Sequence, residues 1–303
     1  MPILRLSKHV LVEISFLAKT LDPAPPLFNR LKQSYTCWLS TVDECLDRAL
    51  TFSTDLFPAI SGLAQEIQTR LPPEAEYAAG VWLEDWQRGI LFSLMSRGRV
   101  RETYIAPPWS WGSLEVNTSL PGKELAPYHA VIHRDHQQNL NATKLLRWKV
   151  EYTDSGPYGS VSAGCLSIRG FVITVSPEIM RKRCYYINSY WKPYKYHSEP
   201  LAIGQYATRD GDIVKADSNA DILCTFDVFP ASSSDSPDIF EGVSFLQVAK
   251  WKSSWGGKTH EISALMMVPA TLGTYRRVGI ASFCDVKGGL LDLGWKMKSV
   301  VVE

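Results

Sequence analysis

The chain lacks any cysteine pattern of the kind that staples a small fold or holds a metal. Its six cysteines, Cys37, Cys45, Cys165, Cys184, Cys224 and Cys284, include no C-x-x-C and no tight spacing, so they read as isolated, buried thiols of an intracellular protein. No apolar run approaches the roughly 18 residues that a membrane-crossing helix needs. The short apolar stretch after Lys8 is interrupted by Glu13 and leads to no small-residue cleavage site, which argues against a secretory signal and for a cytoplasmic location. Charge of one sign is missing too. Lys and Arg number 32 against 31 Asp and Glu, a net charge of +1, so there is no global attraction to nucleic acid or to an anionic membrane. G-x-G-x-x-G, G-x-x-x-x-G-K-[ST] and H-E-x-x-H are absent, and no bound cofactor or metal is expected from motifs. G-x-S-x-G is absent as well: Gly159 to Gly164 is one residue too long and lies between strands, not before a helix.

What the chain has in quantity is aromatic surface, with 10 Trp and 13 Tyr spread over 303 residues. Indoles and phenols at this density build aromatic cores or line a pocket, and each carries one polar group that needs a partner when buried. At 45% hydrophobic and 21% charged, a chain of this length has the profile of a soluble globular protein and can bury a large core.

Periodicity changes along the chain. Trp38, Val42, Cys45, Leu46, Ala49 and Leu50 recur at three- and four-residue spacing and predict a helix between Thr36 and Leu71, with Ser40 or Thr41 as its cap. Asp55 precedes a second periodic run, Leu56 to Ile67, closed by Leu71-Pro72-Pro73. A third helix is predicted from Glu74 to Leu94, where Trp82, Trp86 and Ile90 stand four apart and Gly80 and Gly89 are weak points. Beyond Arg99 the texture becomes that of short strands. Leu146, Trp148, Val150 and Tyr152 alternate with charged residues, and so do Ile222, Cys224, Phe226 and Val228 with their neighbours. CLSIRGFVITV is a further strand with a bulge or bend at Arg169-Gly170. SFLQVAKW, EISALMMV and YRRVGIASF complete the set, the last two joined through Pro269 to Thr274. ASSSDSPD, 231–238, is a surface loop. With no repeat and no βαβ rhythm, the expected class is α+β: N-terminal helices packed on an antiparallel β-barrel or β-sandwich. Residues 1–35 form a divergent N-terminal segment. Residues 36–303 form a single α+β domain, helical over 36–95 and mainly β over 100–290.

Several residues have chemistry to offer. Trp109 and Trp111 are alternate residues, so in an extended backbone both indoles point one way, either as the wall of an apolar pocket with Tyr104 upstream or as the plug of a barrel end. Glu84 and Asp85 lie in the Trp-rich stretch with Trp82. A carboxyl against indole rings has a raised pKa and can act as a general acid, whereas one on the wet side of a helix does not. Asp227 sits in an alternating strand. His129, His133 and His136 fall close together beside Asp135 and read as metal ligands, as one functional histidine or as polar surface. Arg276 and Arg277 bind an anionic group, pair with a nearby aspartate or snorkel over apolar surface.

Five blocks of sequence resemble the region that follows the incompatibility domain in fungal heterokaryon-incompatibility proteins. The first comprises Trp38, Val42, Arg48, Leu50-Thr51, Asp55, Ala59 and Gly62-Leu63-Ala64. The second is Tyr77 to Asp85 with Gly89 to Phe92, and the third is Tyr104-Ile105-Ala106-Pro107-Pro108-Trp109-Ser110-Trp111-Gly112-Ser113. Gly159 to Gly170 and Tyr275-Arg276-Arg277-Val278-Gly279 close the series, which runs from Trp38 to Phe283. The incompatibility domain itself is not represented, and the resemblance brings no catalytic residues with it. Two functions are consistent with this reading. One is a cofactor-independent cyclase or isomerase, pericyclic (Diels–Alder type) or acid-assisted, acting on a terpenoid or polyketide intermediate of fungal secondary metabolism. It would bind a small apolar or polycyclic molecule through Trp82, Trp109, Trp111 and Arg277, with Tyr104, His129 and Asp85 as catalytic groups. The other is a non-enzymatic interaction module related to the incompatibility proteins.

Overall fold

A computed structural model describes residues 27–46, 52–92, 98–116, 143–153, 156–177, 184–186, 205–207, 213–215, 222–227, 242–252, 260–284 and 294–303. The chain divides into two units, each assembled from three stretches. Met1–Ile90, Val100–Glu115 and Val150–Gly164 make the first; Leu91–Arg99, Val116–Lys149 and Cys165–Glu303 make the second. N-terminal helices and a large, mainly antiparallel sheet make the fold α+β.

In the first unit, helix α1 spans Leu27–Leu46 and buries Trp38, Val42 and Cys45 along one face. The predicted cap at Ser40 or Thr41 is not one, because the helix starts upstream. Thr41 is fully buried at mid-helix and donates its hydroxyl back to the Cys37 carbonyl at 2.9 Å, the local bond open to a threonine inside a helix. Helix α2, Leu56–Gln68, follows a 3₁₀ turn at Ser53–Asp55 and packs on α1. Its buried Leu56, Phe57, Ile60, Ala64 and Ile67 follow the predicted period.

The third predicted helix is largely something else. Tyr77–Ala78 (β1) and Val81–Trp82 (β2) form an antiparallel hairpin, Leu83–Asp85 a 3₁₀ turn, and only Trp86–Ile90 (α3) is α-helical. The two turn residues, Ala79 and Gly80, have φ of 46° and 91°, as a two-residue type I′ hairpin turn requires. Gly80, a weak point in a helix, is here the residue that makes the turn. The four-residue spacing misleads because Trp82, Trp86 and Ile90 are all buried whichever way the backbone runs.

Strands β3 (Gly98–Val100) and β4 (Leu114–Val116) form a two-stranded ribbon. Between them the WSW segment is not continuously extended. Ser110 caps a 3₁₀ turn at Trp111–Ser113, its hydroxyl accepting from the Gly112 amide at 3.1 Å.

The main sheet has eight strands. These are β5 (Lys144–Tyr152), β6 (Val161–Thr174), β7 (Cys184–Tyr186), β10 (Ile222–Phe226), β11 (Ser244–Lys252), β12 (His260–Pro269), β13 (Tyr275–Cys284) and β14 (Lys296–Val302). Strands β8 (Gln205–Ala207) and β9 (Ile213–Lys215) pair as a separate ribbon. The order is β12-β11-β6-β14-β13-β10-β7, with β5 beside β6 and a further β12–β13 ladder. The expected barrel is not formed. β13 meets β14 through a single parallel pair, Tyr275 with Val302, whereas a barrel needs a continuous ladder at every seam. The physical reason is competition: β10 pairs with β13 from Gly279 to Phe283, so that length of β13 already has its partners on both sides.

Phe245 and Phe283, edge to face at 5.1 Å, sit in a core with Ile173, Cys224, Ile262 and Met266. β12 is buried on both faces from Ile262 to Met267, so its apolar run is continuous and not alternating. On the β14 side β6 keeps unbroken register through Arg169-Gly170, so no bulge falls there against that strand. Gly170 is needed for close approach: a Cβ on it would lie 2.8 Å from the Thr143 hydroxyl. The register shifts fall instead at Gln247/Ala249 of β11 and at Met266/Met267 of β12, opposite the extra residue Val278 of β13.

Candidate functional site

In the first unit the separately noted tryptophans converge on the Ala79-Gly80 turn. The Gly80 carbonyl accepts from the Trp38 indole at 3.0 Å and from the Trp111 indole at 2.8 Å. Ser110 donates its hydroxyl to the Ala79 carbonyl at 2.6 Å. Trp109 is fully buried and donates to the Gly164 carbonyl at 3.4 Å. Trp82 is buried edge-on to Trp38 and Tyr77, at ring-centroid distances of 6.3 and 5.0 Å, and its Nε1 has no partner among the described residues. These indoles form a rigid interior frame around the hairpin that leads into Asp85.

Immediately after that hairpin lies a charged cluster. Asp85 is in the 3₁₀ turn and Arg88 three residues on in α3, both buried. The Arg88 Nε donates to both carboxylate oxygens of Asp85 at 2.7 Å, and its Nη1 donates to the Thr36 hydroxyl of α1 at 3.2 Å. Burial pushes the Asp85 carboxyl up from 3.8 to about 6, against the opposing pull of Arg88. Tyr35, next to Thr36, has its hydroxyl pushed well up by burial and by the nearby Glu84 and Asp85. Glu84 itself is exposed and accepts from the Glu76 amide at 3.0 Å. Of the two carboxylates in the Trp-rich stretch, Asp85 is the one with the raised pKa, whereas no motif points to Arg88, Tyr35 or Thr36. The only signal available for Arg88 was an opposite charge at i+3 in a Trp-rich stretch.

A pH dependence follows, and its sign is fixed by the direction of the shift. A folded-state pKa above the unfolded value means the native state holds the proton more tightly. The resulting contribution to stability is full below about pH 4 and is lost as pH rises through about 6, on the order of 3 kcal/mol for a displacement from 3.8 to about 6. Urea unfolding across this range is expected to show that falling component in the wild type and to lose it in Asp85→Asn. Parallel pH profiles for the two proteins would refute the assignment.

Arg277, nominated for an anionic ligand, is committed elsewhere within the second unit. Its Nε and Nη2 each donate to an Asp227 oxygen at 2.7 Å, Nη2 also donates to the Phe92 carbonyl at 2.6 Å, and its guanidinium carbon lies 3.2 Å from the Phe92 ring centroid. Arg276 is exposed. Tyr104 is 49% exposed, and partial burial pushes its hydroxyl up to about 12. His129, with His133, Asp135 and His136, lies outside the described residues, as does the 231–238 loop. Among the described residues no group of three His, Cys, Asp or Glu side chains could hold a metal, and no helix is long and apolar enough to cross a membrane. Cys37, Cys45 and Cys224 are buried free thiols, and Cys165 is a half-buried one. Comparison with protein-family models, curated proteins and solved structures gives no match to this chain.

Proposed function

We propose that the chain is a cofactor-independent isomerase or cyclase of the acid-assisted kind, acting on a terpenoid or polyketide intermediate, with Asp85 moving the proton. The observation that carries this reading is the buried Asp85 carboxyl, poised near pH 6 beside Arg88, with 11% of its side chain still exposed. A carboxyl that titrates near working pH both gives and takes a proton at little cost, and such groups concentrate at functional sites. Trp82, Trp109 and Trp111 serve as the frame that fixes the hairpin preceding it, so that the carboxyl is held still while a flexible substrate is oriented. Tyr104 and His129 are retained as donor and second acid. Arg277 keeps its proposed binding role only through the segment that it anchors at Phe92.

Metabolite profiling of the producing fungus with and without the gene, followed by incubation of the accumulated precursor with purified protein, tests this. Conversion should persist under chelation and without added nucleotide, and should fall by about 10² or more in a folded Asp85→Asn protein. An unchanged metabolite profile sinks the reading.

A second reading, the interaction module, is favoured by one observation. Phe52 and Val100 are 65% and 66% exposed, and Tyr104 is also solvent-facing. Large apolar side chains left in water are candidates for contact with another macromolecule. Under this reading Phe52→Ser with Val100→Ser alters cell fusion or death on non-self contact while leaving metabolites unchanged.

In both readings we take residues 36–303 as one cooperative domain. Each unit draws on chain from both sides of residue 98, so a cut there divides both. Limited proteolysis is expected to yield no stable fragment ending near that residue, and recovery of one refutes the single-domain proposal.

A further inference from the structure

We infer that Nη2 of Arg88 is the binding atom for the carbonyl oxygen of a neutral ligand, a ketone or enone and not a carboxylate or phosphate. The inference rests on the isomerase reading and names its substrate class. Two buried arginine–aspartate pairs in the same chain differ in how the guanidinium is used. Arg277 meets Asp227 fork to fork, Nε and Nη2 each taking one carboxylate oxygen, and the remaining valence of Nη2 goes to the Phe92 carbonyl. Arg88 does not. Both Asp85 oxygens crowd onto Nε, because a partner three residues back on one short turn approaches from the base of the side chain. Nη1 is spent on Thr36, and Nη2 is buried with no partner among the described residues.

A buried, unmatched donor on a charged group is costly, and native proteins seldom keep one without use. The Arg88 side chain is only 1% exposed, so an acceptor that reaches it is held out of water, where a charge-assisted hydrogen bond is strongest. The surroundings select the acceptor. Asp85 already meets this guanidinium with both oxygens, and two carboxyl groups, Glu84 and Asp85, against one guanidinium act on the neighbouring Tyr35 hydroxyl. An anion would face that negative excess, and a cation would face the guanidinium. A neutral carbonyl oxygen meets neither penalty. With the carbonyl oxygen on Arg88, the α-carbon gives its proton to the Asp85 carboxylate; the C–H electron pair becomes a C=C bond, the carbonyl π pair settles on the oxygen as an enolate held by Arg88, and the same proton returns from Asp85 at another carbon, so nothing is oxidised or reduced.

The test uses the full chain and three probes: cyclohex-2-enone labelled with ¹³C at the carbonyl, cyclohexanecarboxylate and inorganic phosphate. On adding wild-type protein the labelled carbonyl resonance is expected to move downfield, while neither anion responds. Folded Arg88→Lys, whose ammonium cannot present the same fork, should bind the enone about tenfold more weakly or worse. The carbonyl shift in wild-type protein decides the matter even if that variant does not fold. A silent carbonyl resonance, tighter binding of either anion, or unchanged enone affinity in folded Arg88→Lys overturns the inference. Enone binding at Arg88 without solvent deuterium entering the ring would keep the inference and remove the isomerase reading. Deuterium exchange that requires Asp85 but is indifferent to Arg88 would do the reverse.

Discussion

Gly80→Ala is expected to destabilise the first unit by roughly 4 kcal/mol, whereas Ala79→Gly next to it should be neutral or slightly stabilising. Two costs add at Gly80. Its φ of 91° lies where L side chains are strained, worth about 1–2 kcal/mol. Its added Cβ would lie 2.7 Å from Nε1 of Trp111 and within 2.9 Å of two ring carbons, and forcing a packed core apart costs about 1–3 kcal/mol. The indole has little room to yield: it is 1% exposed, hydrogen-bonded to the Gly80 carbonyl and set edge-on to Phe57 at 5.5 Å. If the turn moves instead, Trp38 and Trp111 both lose their acceptor. Ala79 already tolerates a φ of 46°, so removing its Cβ relieves strain at the expense of chain entropy. Urea unfolding followed by tryptophan fluorescence measures both variants. Similar midpoints for the pair would show that the turn is not the point on which these tryptophans depend.

The division into helices and strands was legible because the apolar period changes near Tyr104, and α2 and the β12–β13 hairpin appear where that period places them. The 77–90 segment was not legible. A hairpin followed by a short helix leaves Trp82, Trp86 and Ile90 as buried as one helix would, so spacing alone cannot separate the two. The lost barrel has a different cause. Whether β14 or β10 takes an edge of β13 is a contest between strands far apart in sequence, and no local pattern reports it. The candidate site divides in the same way. Asp85 could be read from a carboxylate amid indoles. Arg88 could not, since one of its partners, Thr36, lies fifty-two residues away, and an arginine in a short amphipathic stretch ordinarily faces water. Three of the sequence blocks singled out, around Trp38, Ala79-Gly80 and Ser110-Trp111, proved to be parts of one hydrogen-bonded hub. The PWSW block has its peculiar composition because a tight turn has two carbonyls to be satisfied in an apolar interior.

Arg277→Met should destabilise the second unit by about 3–5 kcal/mol, the usual consequence of stranding one partner of a buried ion pair. The residues beside Arg277 explain how a charged side chain comes to be inside. Two strand neighbours in regular alternation would face opposite ways, with Arg276 and Arg277 on opposite sides of the sheet. Val278 is the extra residue of a bulge against Met266 and Met267, and a bulge re-aims the side chains that flank it. The Val278 carbonyl accepts from the Asp227 amide at 3.0 Å, which fixes the carboxylate opposite the guanidinium. Gly279 completes the arrangement, because a Cβ there would overlap the Thr225 carbonyl of β10. Once the guanidinium is gone, the buried Asp227 carboxyl, 8% exposed, loses its ion-pair partner, and the Phe92 carbonyl loses a donor. The informative comparison is therefore with the double variant Arg277→Met, Asp227→Leu. Replacing both members of a buried pair by apolar residues of similar size is often neutral or better, so the double variant should recover most of what the single one loses. Denaturant melts of the wild type, both single variants and the double variant give the coupling energy directly. Strictly additive losses would mean that each residue acts alone. A double variant less stable than Arg277→Met would mean that the bulge at Val278 needs the Asp227 carboxylate in its own right.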